Sequence, residues 1–111
     1  MFEHREQLPE TTSSRSNFVE FLPMAPGRGR VLIEQDRDRS EYLIARIPAE
    51  GGFAFRFKML GGRRKSAVDN YDVFVANGIG QHDSCECLGF LRHGRCKHTA
   101  ALRALLENRW V

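Results

Sequence analysis

All three cysteines of this chain, and two of its four histidines, fall within CECLGFLRHGRCKH, residues 85 to 98. No other feature constrains the fold as strongly, because side chains that share one ion must converge on one point whatever the surrounding backbone does. Cys85 and Cys87 are two apart, Cys96 and His98 are two apart, and eight residues separate the pairs. Two-apart residues on an extended segment project to the same side, so Cys85 and Cys87 can reach a single ion. Cys96 and His98 cannot both occupy a helix interior, since two residues turn a helix by about 200° and aim the side chains apart. Cys96 is therefore expected just before a helix, near its cap, with His98 in the first turn. Gly94 supplies a turn ahead of it, and the apolar helical pattern begins after His98.

Zinc takes four nitrogen or sulfur ligands at tetrahedral corners, and Cys3His is one of its structural sets. The spacing thus predicts one zinc per chain, held by Cys85, Cys87, Cys96 and His98. Three thiolates and a neutral imidazole leave such a site with a surplus negative charge. A helix N-terminus favours thiolate over thiol, and Arg92, Arg95 and Lys97 stand beside the ligands to offset it. Other uses of the same residues stay open. A Cys96–His98 nucleophilic dyad would leave Cys85 and Cys87 idle, and a Cys85–Cys87 disulfide switch is strained at that spacing. An iron–sulfur centre draws on similar ligands. His93 is a substitute ligand or an exposed loop residue, and His4 and His82 have no partner by spacing. In a reducing cytosol thiols are more naturally ligands than a disulfide framework, and an odd number leaves one over.

The 111 residues suit one domain with a thin core that a metal can help to hold. With 41% hydrophobic and 28% charged residues the composition is that of a soluble domain. No apolar run approaches the roughly 20 residues of a membrane span, and the start lacks a signal-peptide core, so an intracellular, cytoplasmic protein is expected. Residues 3 to 17 are polar and without apolar period, which predicts a flexible tail over 1–17 and a single domain over 18–111. FVEFLPMAPGRG (18–29) begins with a short strand or docks Phe18, Phe21 and Leu22 on the core, and becomes irregular at its prolines and glycines. RVLIEQ (30–35), SEYLIARI (40–47), GFAFRFKML (52–60) and YDVFVA (71–76) are strand runs joined by turn signals, which favours antiparallel hairpins. From Lys97 to Arg109, Ala101, Leu102, Leu105 and Leu106 recur at helical spacing. The expected class is α+β: a small antiparallel sheet of three to five strands, a zinc knuckle, and one C-terminal amphipathic helix.

Charge is unevenly spread. Residues 1–50 carry seven Lys/Arg against nine Asp/Glu, and residues 51–111 carry ten against five. Phe53, Phe55 and Phe57 alternate with Arg56 and Lys58, which predicts a core face of rings and a solvated face of cations. A second use for those cations, with Arg63, Arg64 and Lys65, is contact with phosphates. The carboxylate pairs Asp36/Asp38 and Asp69/Asp72 sit in charge-rich turns and read as solvated groups rather than catalytic ones.

The order CxC, spacer, CxH and then an apolar helix resembles the SWIM zinc finger, whose pattern is CxCx(n)CxH. The likeness spans about residues 70–109: Tyr71 and Val73 on a strand ahead of the cysteines, Phe90 in the spacer, Gly94 before the second pair, and Ala100 and Ala101 after the histidine. Arg95 stands where proline is frequent in that family, and Leu88-Gly89 where a proline or polar residue is more usual. Neither departure removes a ligand. Such fingers accompany bacterial helicases, transposases, plant transcription factors and some kinases, and are described as modules for DNA binding or protein–protein interaction. The resemblance implies a module that binds nucleic acid, DNA first, or a protein partner, and takes no small-molecule substrate. Arg56, Lys58, Arg63, Arg64, Lys65, Arg92, Arg95 and Lys97 are its candidate nucleic-acid contacts. A closed four-ligand site has no open position for water, so no catalytic residue is expected. The alternative is a thiol-based redox sensor or small enzyme that uses the cysteines.

Overall fold

A computed structural model describes residues 2–8, 17–36, 38–62, 70–77, 82–87 and 96–111. The alternating runs form an antiparallel sheet in which each strand pairs with the next in sequence. The strands are β1 (His4–Gln7), β2 (Asn17–Ala25), β3 (Arg28–Gln35), β4 (Asp38–Ile47), β5 (Gly52–Gly62), β6 (Asn70–Ala76) and β7 (Ser84–Cys85). Among the described residues one helix follows, Lys97–Glu107. This corrects the expected α+β class of three to five strands plus knuckle and helix. The fold is β-rich, with seven strands in one sheet and a short C-terminal helix, and the loop that would form the knuckle, 88–95, lies outside the described residues.

The extra strands stand at the two edges of the sheet: β7 beside β6, and β1 inside the segment read as a tail. His4–Gln7 pairs with Phe18–Phe21, and Leu8 and Asn17 are buried. Residues 9–16 lie outside the described residues. β2 is longer than the short strand expected, because Asn17, Val19 and Phe21 alternate inward before Pro23. A register shift between Pro23 and Ala25 then leads to the turn Pro26-Gly27. Proline fixes the first central φ, and Gly27 takes the positive φ of 72° that the second position needs. Between β3 and β4, Asp36 adopts φ 53°, a left-handed conformation that aspartate tolerates better than most residues. β5 carries a bulge opposite Glu41/Tyr42, which leaves Leu60 as the extra, exposed residue.

Pleating separates the sheet into two faces. The inner face carries Val19, Phe21, Val31, Ile33, Tyr42, Ile44, Phe55, Phe57, Val73 and Val75, and the helix covers it with Ala101, Leu102, Ala104 and Leu105. The outer face is a lattice of cross-strand ion pairs: Arg5 with Glu20 and Glu34, Arg39 with Glu34, Arg30 with Glu41, Arg56 with Asp72. Phe53 is half-buried, while Phe55 and Phe57 are fully buried and Arg56 and Lys58 are exposed, as the alternation predicts.

The helix ends in a turn that reaches back to β1. Arg109 sits at φ 58°, its N–H donates to Leu106 O, and the Trp110 N–H donates to Leu105 O. Those are the two bonds of a Schellman motif, with arginine where glycine is usual. The turn lays Trp110 on His4, with rings 4.8 Å apart and 12° from parallel, and Asn108 Nδ2 donates to Glu6 Oε2. β1 is thus held by the helix end, which explains an ordered strand without apolar alternation. Among the described residues no helix is long and apolar enough to cross a membrane.

Gly29 lies on the inner face, and a Cβ there would come within 2.5 Å of the Phe21 ring and 2.7 Å of the Leu22 carbonyl. Gly29→Ala is expected to cost about 2 kcal/mol by overpacking, read as a lower urea midpoint. An unchanged midpoint would refute this account of the β2–β3 packing.

Candidate metal centre

Four donors converge where the sheet's last edge meets the helix start. Cys85 ends β7 and pairs with Val73 of β6, which turns its side chain to the inner face. Cys87 follows two residues on and is buried as well. Cys96 is the N-cap of the helix at φ −155° and ψ 170°, so its side chain folds over the first turn. His98 is the second residue of the helix, within its first turn, and is only 4% exposed. The expected placement of Cys96 at the cap and His98 in the first turn is observed. One donor atom from each residue lies within 4.8 Å of every other. The Cys85 Sγ to His98 Nδ1 edge is 3.7 Å. A tetrahedral ion with Zn–S of about 2.3 Å and Zn–N of about 2.0 Å requires edges of about 3.5–3.8 Å. The cluster can hold a metal ion.

The cap is built around sulfur. The Thr99 N–H donates to Cys96 Sγ at 3.4 Å, and Thr99 Oγ1 receives the Cys96 N–H at 3.4 Å while its hydroxyl donates to Cys96 O at 3.0 Å. Hydrogen bonds from the Cys85 and Cys87 thiols, then from His98 and the Thr99 N–H, hold the Cys96 thiol well below its ordinary range. The Cys96 sulfur sits at the helix N-terminus, where backbone N–H groups favour negative charge. The half-buried Lys97 ammonium feels Asp38, Cys87 and Cys96, and burial pulls its pKa down from the usual lysine range.

The sheet contributes residues that the spacing did not reveal. His98 Nε2 lies 2.9 Å from the Tyr42 hydroxyl. The imidazole sits among the Tyr42, Phe57 and Tyr71 rings, with centroids 5.1, 5.8 and 4.9 Å away. Burial, above all, pushes the Tyr42 phenol up, so it stays neutral. Lys97 Nζ donates to Ser40 Oγ at 3.2 Å, and Ser40 lies two residues before Tyr42 on the same face of β4. The sequence held one signal for this group: a tyrosine among inward-facing aliphatic residues needs a partner for its hydroxyl.

Of the candidate nucleic-acid residues, Arg56, Lys58 and Lys97 lie among the described ones, and Lys97 does not share a face with the other two. Arg56 is exposed but is held by Asp72 through bonds of 2.8 and 3.2 Å. The guanidinium beside Asp72 keeps that carboxyl below the usual carboxylate range. Lys58 is exposed on the same outer face, and Lys97 is on the inner side. Arg63, Arg64, Lys65, Arg92 and Arg95 lie outside the described residues, as does His93, while His82 is exposed and His4 stacks on Trp110. Compared with protein-family models, with curated proteins and with solved structures, the chain finds no match.

Thr99→Val keeps the shape of the cap but removes the hydroxyl that bonds Cys96 at both its N–H and its carbonyl. A loss of about 1 kcal/mol is expected, measured by urea denaturation. Wild-type stability in the variant would contradict the capping role given to Thr99.

Proposed function

We propose that this chain is a structural-zinc module of the SWIM type that works by binding a macromolecular partner and carries out no chemistry of its own. The observation that carries the reading is the convergence of three sulfurs and one imidazole nitrogen within 4.8 Å at a helix cap. The donor set suits zinc: Cys3His is a closed structural set, and the buried aromatic surroundings of His98 exclude competing water. In this reading Cys85, Cys87, Cys96 and His98 hold one zinc per chain. The ion ties the end of β7 to the start of the helix, and the helix in turn covers the inner face.

DNA is the first partner in this reading, on the basic C-terminal half and the SWIM-like spacing of the ligands. A protein partner is the second, and one observation favours it. The outer face alternates cations with carboxylates, so the arginines there already answer to Glu20, Glu34, Glu41 and Asp72. A face of that kind recognises a complementary mosaic of charge better than a uniform polyanion.

Metal analysis of purified protein is expected to give one zinc per chain in the wild type and none in Cys96→Ser. The variant should lose helical signal from the C-terminal segment while the sheet, whose strands bring their own apolar face, persists. A metal-free, folded wild type with three reactive thiols would sink the zinc reading in favour of a thiol sensor. Duplex DNA titrated into zinc-loaded protein should bind with an affinity that falls steeply as salt rises. No binding at low salt would move the assignment to a protein partner.

A further inference from the structure

We propose that Tyr42, on β4, is the positioning residue of the metal centre: its hydroxyl accepts the His98 Nε2 proton and so leaves the Nδ1 lone pair facing the sulfurs. This inference rests on the reading of the four clustered residues as a zinc centre.

An imidazole can ligate a metal only as the neutral ring, with one nitrogen bearing the proton and the other the lone pair. In this structure the choice between nitrogens is made by position. Nδ1 faces Cys85 Sγ at 3.7 Å, and Nε2 faces the Tyr42 oxygen at 2.9 Å. His98 is 4% exposed and Tyr42 0%, so water does not serve as the acceptor at Nε2. With the proton on Nδ1 instead, an N–H would point at the thiols and the Nε2 lone pair at the phenol. The ring could then not ligate.

Packing makes the choice firm. The edges of Tyr42 and Phe57 meet the imidazole at 86° and 80°, and Tyr71 lies over it at 33°. A half-turn about the Cβ–Cγ bond would put carbon where each nitrogen now bonds, breaking the Tyr42 contact and the Cys85 contact together. The chemistry of the acceptor also fits a thiolate-rich site. A carboxylate in this place would add a second buried negative charge to a site that already carries one in excess; a phenol accepts the same proton without charge. Tyr42 is itself placed from the side of the helix. Ser40, next on the same face of β4, accepts from Lys97 Nζ at 3.2 Å, and Lys97 stands between the ligands Cys96 and His98. The centre is therefore clasped by β4 at two points, though β4 supplies none of the four donors.

The test is zinc affinity by competition with a chromophoric chelator, for wild type, Tyr42→Phe and Phe57→Leu, with the nitrogen-15 resonances of His98 followed in the zinc-loaded proteins. Tyr42→Phe should bind one zinc per chain with affinity reduced about 10- to 100-fold, and its His98 Nε2–H should exchange rapidly with water. Phe57→Leu removes a neighbouring ring but no acceptor, so it should lower stability and leave the Nε2–H protected. Equal affinity in Tyr42→Phe and wild type would overturn the proposal. If Tyr42→Phe does not fold, wild type decides: a slowly exchanging Nε2–H supports the assignment, and an exposed, rapidly exchanging one overturns it. A wild type that binds no zinc removes the zinc reading, and this inference with it; a wild type that binds zinc with an insensitive Tyr42 removes this inference alone.

Discussion

The inner face of the sheet is a continuous apolar surface that water must not reach, and among the described residues an eleven-residue helix packs on it. Everything at the C-terminal end follows from keeping that helix in place. At one end the Schellman turn sets Trp110 against His4; at the other Cys96 caps the first turn with its sulfur. A helix this short is marginal in isolation. Its stability is therefore borrowed from burial beneath it and from whatever fixes its two ends. At that second end Cys85, Cys87, Cys96 and His98 are gathered.

How much of this could be read from the chain depends on the range of the interaction concerned. The strands β3 to β6 were legible because alternation is a local property, visible in runs such as GFAFRFKML. The four clustered donors were legible for the same reason, since CxC and CxH report the local geometry of an extended segment and a helix cap. β1 was not, because HREQ has no apolar alternation and is ordered by the far end of the chain, through His4 on Trp110 and Glu6 on Asn108. Tyr42 was not, because it meets His98 across 56 positions and only the sheet register makes them neighbours. Arg56 shows the same division between local and long-range signals. Its outward direction follows from alternation, but the register that sets Asp72 opposite it does not.

Charge on this molecule is arranged for balance across strands. The ion pairs form within each half of the chain: Arg5, Arg30 and Arg39 answer to Glu20, Glu34 and Glu41, while Arg56 of β5 takes Asp72 and Arg103 of the helix takes Asp83 at 2.7 Å. Acidic side chains also close the last edge of the sheet. Glu86 accepts the Asp72 N–H and Asp83 the Ala76 N–H, so side chains satisfy backbone donors of β6 beyond the reach of two-residue β7. That edge offers fewer free donors to a foreign strand, which is a known way of discouraging edge-to-edge association.

The placement of the donors has a kinetic consequence. Cys85 and His98 stand only 13 positions apart, so bringing the four donors together closes a short length of chain and does not wait for distant strands to meet. The hydrogen bond between His98 and Tyr42 belongs to the opposite regime, since it needs β4 in its final register. One imidazole thus stands at the junction of a cluster that is local in sequence and a contact that spans 56 positions. Its ring connects a local event, completed within a few turns of backbone, to the assembly of the whole sheet.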